Sequence, residues 1–231
     1  MKKYGLRLFG ILLVVVVLWH VSRSRTFQLF GTLYARVNTA QKVVALTFDD
    51  GPTSQTDSIL AILRDLDSKA TFFVTGKELA MHSLEGQKIV LAGHQLGNHT
   101  YSHSRMVLKT WDYTRREIEK TDSLIRLAGY RGEILFRPPN GKKLFVLPYY
   151  LQQTNRKTIM WDVEPESYAN IANDSKKITQ NVLENTKPGS IILLHVMYDR
   201  PESVKAIRQI VNGLKQQGYT FKTVSELLRY H

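Results

Sequence analysis

Seven short apolar runs, each separated from the next by a longer segment, constrain this chain more than any other feature. They are residues 43–48 (VVALTF), 70–75 (ATFFVT), 94–98 (HQLGN), 134–137 (ILFR), 158–162 (TIMWD), 190–195 (SIILLH) and 219–222 (YTFK). Their β-branched and aromatic residues read as strands. The segments between them read as helices. Ile59, Leu60, Leu63 and Leu66 fall on one helical face, with Ser54 or Thr56 placed to cap its start. Segment 111–128 carries Ile118, Leu124, Ile125 and Leu127 and stops at Gly129, and segment 202–217 stops at Gly218. Strands alternating with helices imply parallel β/α units covered on both faces. An open doubly wound sheet and a closed barrel both meet that requirement. Without a Gly-rich dinucleotide fingerprint, the barrel is the expected form. The 231 residues suffice for one domain with a full core.

The N-terminus has a different character. Lys2, Lys3 and Arg7 precede an apolar run from Leu8 to Trp19. A basic tip before an apolar stretch is the pattern of an export signal. Twelve helical residues extend about 18 Å, against a hydrocarbon core of roughly 30 Å. Counting from Tyr4 to Val21 gives a marginal span. No small-x-small cleavage site follows, so the expectation is a retained, single-pass membrane anchor with the catalytic part outside the cytoplasm. Secretion after cleavage is the alternative. The organisation is then residues 1–25 as tip and anchor, 26–41 as linker and 42–231 as catalytic domain. The formal net charge is +12, and five of the 32 Lys and Arg lie within residues 1–25, which hold no acid. No basic run is interleaved with aromatics, so nucleic acid is not an expected partner. The chain has no cysteine, which excludes disulfides, thiolate metal ligands and a Cys nucleophile.

Polar residues cluster just after the runs. Asp49 and Asp50 follow the first and His99 and His103 the third. Arg137, Pro138 and Pro139 follow the fourth, Asp162 and Glu164 belong to the fifth, and His195 ends the sixth. In an α/β barrel the C-terminal strand ends converge on one mouth. Each residue has a plain reading alone: a turn aspartate, a surface histidine pair, a solvated arginine, a core histidine. Together they suggest a site. If residues 99–103 are helical, the two imidazoles share a face, a spacing suited to metal. Two histidines and one aspartate are three ligands, leaving a coordination position for water, as in catalytic zinc sites. The second aspartate is then free as a base and a histidine opposite as an acid. The spacing does not say which aspartate plays which part.

TFDDGP (47–52), HTYSH (99–103), RPPNG (137–141), WDVEPESY (161–168) and IILLH (191–195) resemble, in order, the five motifs of the polysaccharide deacetylase family, carbohydrate esterase family four. The resemblance implies a distorted (β/α)7 barrel. It implies Asp49 as general base, Asp50, His99 and His103 as ligands of one divalent metal ion, most often Zn2+, Arg137 as the brace of the base and His195 as general acid. Leu193 is implied in the acetyl pocket, and Pro139, Asn140 and Trp161 stand where the family contacts substrate. The implied reaction removes N-acetyl groups from amino sugars of an N-acetylglucosamine polysaccharide, such as peptidoglycan or a chitin-like glycan. Three departures stand out. Asn140 replaces a usual aromatic, Ser167-Tyr168 replaces a usual Asp-Trp, and Val196 follows His195 where an Asp is frequent. Asp162 or Glu164 is the expected substitute for orienting the acid. The alternative is a non-catalytic glycan-binding module on the same barrel.

Overall fold

The structure, a computed structural model, describes the backbone from residue 2 and the side chains from residue 7 onwards. Met1 and the side chains of Lys2 and Lys3, part of the expected basic tip, lie outside the described residues. The elements run α1 (Lys2–Arg23), β1 (Leu33–Tyr34), β2 (Val43–Asp49), α2 (Thr56–Asp65), β3 (Thr71–Val74), α3 (Gly76–Met81), α4 (Ser83–Leu91) and β4 (Gln95–Asn98). They continue with α5 (Trp111–Leu127), α6 (Val146–Gln153), β5 (Thr158–Ile159), α7 (Ser175–Asn185), β6 (Ile191–Leu194), α8 (Pro201–Gln216), β7 (Thr220–Phe221) and α9 (Val224–Leu227).

Strand β2 is central. Every residue of it is buried, and it pairs in parallel with β3, β6 and β7, while β3 pairs in parallel with β4. The strand expected at 134–137 is reduced to Phe136, which bridges Asn98 of β4 and Thr158 of β5. Pro138 and Pro139 follow at once and lack the N–H groups that would extend the ladder. From β5 the chain continues to Val163, which bridges Ile192 of β6. The contacts therefore run from β2 through β3, β4, Phe136 and β5 and return through β6. This α/β circuit of parallel strands is consistent with the expected distorted barrel.

Alternation along the strands divides the core. Val44, Leu46 and Phe48 of β2 belong to a cluster with Ile59 and Leu63 of α2, Val182 of α7 and Ile207, Ile210 and Leu214 of α8. Val43 and Ala45 belong instead to a cluster with Phe73, Leu135, Ile159 and Leu193. Burying a side chain the size of Ile210 or Leu214 contributes about 1.5–3 kcal/mol. With a period of two, Thr47 and Asp49 continue the Val43–Ala45 face and point inward. The sheet that carries the core thus also aims the first carboxylate.

Side chains satisfy several free backbone donors at helix starts. Asp174 accepts from Lys176 and Lys177 at 2.9 and 3.2 Å to cap α7, and Thr223 with Glu226 forms a capping box on α9. Helix α2 is different. Its N-cap is Gln55 without a side-chain bond, and Thr56 Oγ1 accepts instead from the Thr53 N–H at 3.1 Å. The expected caps Ser54 and Thr56 do not serve there.

Residues 26–41, read from sequence as a linker, are stitched into the barrel. β1 pairs in parallel with β5, and the buried Val37 donates its N–H to the Gly189 carbonyl at 2.9 Å. Gly189 has φ +82°, and a Cβ there would lie 1.9 Å from the Val37 oxygen, so no larger residue fits. Upstream, α1 exposes Leu8, Phe9, Ile11–Val17 and Trp19. No helix among the described residues is long and apolar enough to cross a membrane, so the expected spanning segment finds no support.

Candidate metal centre and catalytic cleft

Arg137 follows the Phe136 bridge and turns into the barrel, where it is fully buried. Its Nη1 donates to Asp49 Oδ1 at 2.7 Å and to Thr47 Oγ1 at 2.8 Å, and its Nη2 donates to the Met160 carbonyl at 3.2 Å. The guanidinium lies 4.1 Å from the Phe73 ring centroid. Burial alone would raise the Asp49 pKa. The Arg137 charge, with His99 and His195 nearby, outweighs it and holds the carboxyl below the usual range. Asp49 is thus an ionised carboxylate with Oδ1 fixed and Oδ2 available, 3.6 Å from His99 Nε2.

Asp50 leaves the strand with φ +75°. That turn sends its side chain away from Arg137 and towards the histidine loop. Gly51 follows, where a Cβ would meet Met197 Sδ at 2.7 Å, so the turn packs too closely for a side chain. Residues 99–103 are not helical, so the condition for a shared helical face is not met. Thr100 and His103 have φ of +65° and +56°, and this loop, not an i,i+4 face, brings the imidazoles together. Such conformations cost of order 1–3 kcal/mol each and persist where surroundings impose them. Here Asn98 Oδ1 accepts from the Thr100 N–H at 2.8 Å, and Thr100 Oγ1 accepts from the His103 N–H at 3.1 Å. Glu117 of α5, also buried, accepts from the Tyr101 and Ser102 N–H groups at 3.1 and 2.8 Å. His99 Nδ1 bonds the Arg137 carbonyl at 2.7 Å, which leaves Nε2 to face Asp50.

Asp50 Oδ1 lies 3.1 Å from His103 Nε2 and 3.6 Å from His99 Nε2. It is buried without a hydrogen-bond partner among the described residues. Ligands 2.0–2.1 Å from a tetrahedral ion sit about 3.3–3.4 Å from one another. The observed separations bracket that value, and the three donor atoms lie within 4.8 Å of one another. The donor set and the unsatisfied oxygen both fit a divalent cation, and an aspartate with two imidazoles suits zinc.

Across the cleft stands His195, at the end of β6. Its Nδ1 is 2.8 Å from Glu166 Oε2, which also accepts the His195 N–H at 2.6 Å. Glu166 Oε1 in turn accepts from Ser203 Oγ. Burial would lower the His195 pKa, but the Glu166 bond and the charge of Asp49 raise it to about 9. The expected orienting residues are elsewhere. Asp162 accepts from Ser190 Oγ and the Ile191 N–H, both at 2.8 Å. Glu164 accepts from Trp161 Nε1 at 2.9 Å and Ser167 Oγ at 2.5 Å. Glu166 is not among the residues expected from the sequence: the motif places its acid at position 167, whereas the short 3-10 turn Pro165–Ser167 presents the preceding residue.

Asp49, Asp50, His99, His103 and His195 line one concavity of about 370 Å3, together with Asn140, Trp161 and Leu193. Pro139 is buried in the adjacent turn and is not among the lining residues. A second concavity of about 230 Å3, between Thr75, Tyr101 and Tyr198, shares Asp50 and His103 with the first.

The family model for polysaccharide deacetylase matches residues 36–159. The chain belongs to the polysaccharide deacetylase family. It is 34% identical over 194 residues to a peptidoglycan-N-acetylglucosamine deacetylase of Bacillus cereus, covering 82% of this chain and 90% of that protein. It is 33% identical to a peptidoglycan-N-acetylmuramic acid deacetylase of Bacillus subtilis, covering 83% of this chain but 40% of that protein. A crystal structure of a peptidoglycan N-acetylglucosamine deacetylase superposes with a TM-score of 0.78 at 34% identity, over 84% of this chain and 91% of that one. As a polysaccharide deacetylase, the chain meets one of its departures with Glu166, whose charge stands where Ser167 offers none. Asn140 stays an open wall, its backbone at φ +54°.

Proposed function

We propose that this polysaccharide deacetylase is a metal-dependent hydrolase that removes N-acetyl groups from N-acetylglucosamine-type units of a polysaccharide, with peptidoglycan the first candidate. The observation that carries the reading is one cleft holding an ionised carboxylate, a three-donor cluster and a protonated imidazole, each fixed by a separate partner. Asp50, His99 and His103 would hold the ion, and zinc fits their chemistry. When bound, the ion would act as a Lewis acid that polarises the acetamide carbonyl.

The chain's own residues handle protons. Asp49 Oδ2 accepts a proton from the attacking water, while Arg137 keeps Oδ1 occupied and the carboxyl ionised. A C–O bond forms at the acetyl carbon, and the C–N bond breaks. His195, with Nδ1 held by Glu166, donates a proton from Nε2 to the departing nitrogen, giving acetate and a free amine. The two adjoining concavities that share Asp50 and His103 support a polymer lying across the site over a lone small molecule. Sequence similarity to both N-acetylglucosamine and N-acetylmuramic acid deacetylases supports a cell-wall glycan.

The domain works outside the cytoplasm, held near the membrane by the apolar surface of α1. A mature chain that begins beyond residue 24 by mass would contradict the retained tether. For the chemistry, acetate release from N-acetylated glycan is the test. Asp49→Asn lowers the rate by about 10²–10⁴-fold, the scale of one general base, and retained full activity would count against the assignment.

A further inference from the structure

The stretch between α1 and β1 reaches the cleft. Ser22 is buried, and its carbonyl accepts the Lys143 N–H at 2.9 Å. Lys143, itself buried, donates its Nζ to the Ser24 carbonyl at 2.5 Å. Beyond, Ser24 Oγ accepts from the Thr26 and Phe27 N–H groups at 3.3 and 3.1 Å. The backbone is thus gripped on both sides of Arg25. The guanidinium of Arg25 meets Glu164 Oε2 at 2.5 Å and lies 4.8 Å from the Trp161 ring centroid. Arg25, Trp161, Glu164 and Ser167 line the same concavity as Asp49 and His195.

A plain tether explains little of this. A part-exposed ion pair adds little stability, and a buried lysine is a costly clamp for a passive connector. Glu164 takes three bonds on Oε2, while Oε1 carries none among the described residues. The guanidinium has five N–H donors in a plane, and only one bond of Arg25 is made to the protein among the described residues. Asn140, on the same concavity, offers no ring.

We infer that Arg25 is a substrate-positioning residue: with Trp161 and Glu164 it forms a seat for a neutral amino-sugar unit next to the one deacetylated. Arg25 donates to sugar oxygens and Glu164 Oε1 accepts from a sugar hydroxyl, while Trp161, itself buried, backs the Arg25 guanidinium and donates to Glu164. This rests on the deacetylase reading above. It makes the segment that leaves the N-terminal helix a wall of the active site.

The test uses the full chain, as wild type, Arg25→Ala and Arg25→Lys, with a pentamer of N-acetylglucosamine as probe. Acetate release gives KM and kcat, calorimetry gives the pentamer Kd, and zinc affinity and Tm serve as controls. Arg25→Ala raises KM and Kd about ten- to hundredfold, the loss of one charged hydrogen bond. It leaves kcat within about twofold, zinc affinity unchanged, and Arg25→Lys recovers part of the loss. Unchanged KM and Kd would overturn the inference, as would a joint fall in kcat and zinc affinity. If the wild type releases no acetate, the deacetylase reading fails, and calorimetry still decides this one. Weaker pentamer binding by Arg25→Ala supports the seat. Equal binding, or none by the wild type, overturns it.

Discussion

At the scale of single residues, the site is a set of charges whose partners decide their states. Arg137 and Asp49 are a buried pair, so removing one leaves the other without compensation. Arg137→Met is expected to lower stability by about 3–5 kcal/mol, measured by urea unfolding. A loss under 1 kcal/mol would show that the pair is not buried as described. His195 gives a pH signature. Its folded pKa of about 9 lies above the ordinary 6.5, so its ion pair with Glu166 stabilises the fold fully below pH 6.5. That contribution fades as pH rises through about 9. Glu166→Gln should therefore lower Tm more at pH 6 than at pH 10, and should move the alkaline limb of kcat/KM to lower pH. Equal Tm losses at both values would contradict the pairing. Asp49, Asp50, His99, His103, Arg137 and His195 stand out in the sequence as polar groups at strand ends. Glu166 and Glu117 do not, because each sits within a segment whose path only the tertiary fold sets.

At the scale of elements, the loop 99–103 brings the two imidazoles together by holding Thr100 and His103 in backbone conformations that β-branched and bulky residues avoid. Glu117 on α5 organises that loop through Tyr101 and Ser102. Glu117→Gln leaves Asp50, His99 and His103, the proposed metal ligands, in place yet weakens their arrangement. Zinc affinity is expected to fall about 10–100-fold, as for residues that support metal ligands, read by competition with a chromogenic chelator. Unchanged affinity would show that the loop is held by Asn98 and Thr100 alone. The spacing of His99 and His103 would pair them on one face of a helix, but here they meet across a loop. Four residues also span this loop, and the sequence carries no mark of its four successive side-chain-to-backbone bonds. Likewise 134–137 looks like a strand by composition, but two prolines limit it to one bridging residue, Phe136.

At the scale of the whole molecule, six of the seven expected strands and the helices around 56–66, 111–128 and 202–217 were legible from composition and periodicity, because burial on both faces leaves continuous apolar stretches. The role of residues 26–41 was not legible, since Leu33–Tyr34 is too short to show a period and Val37 is a single apolar residue whose place in the core cluster with Val43 and Ala45 only the fold sets. A site assembled from β2, the 99–103 loop, Arg137 and β6 also ties metal to global stability. Zinc at 100 times its Kd should stabilise the fold by about 2.7 kcal/mol, seen as a rise in Tm, and Asp50→Ala should abolish the rise. An equal rise in that variant would place the bound ion elsewhere.

The central claim is that one cation, one carboxylate and one imidazole act together on an acetamide. Its most direct test is acetate release from N-acetylated peptidoglycan by the full chain, before chelation, after chelation, and after zinc is restored. The account predicts release, loss and recovery in that order. Release that survives chelation undiminished, or no release with zinc restored, would contradict it.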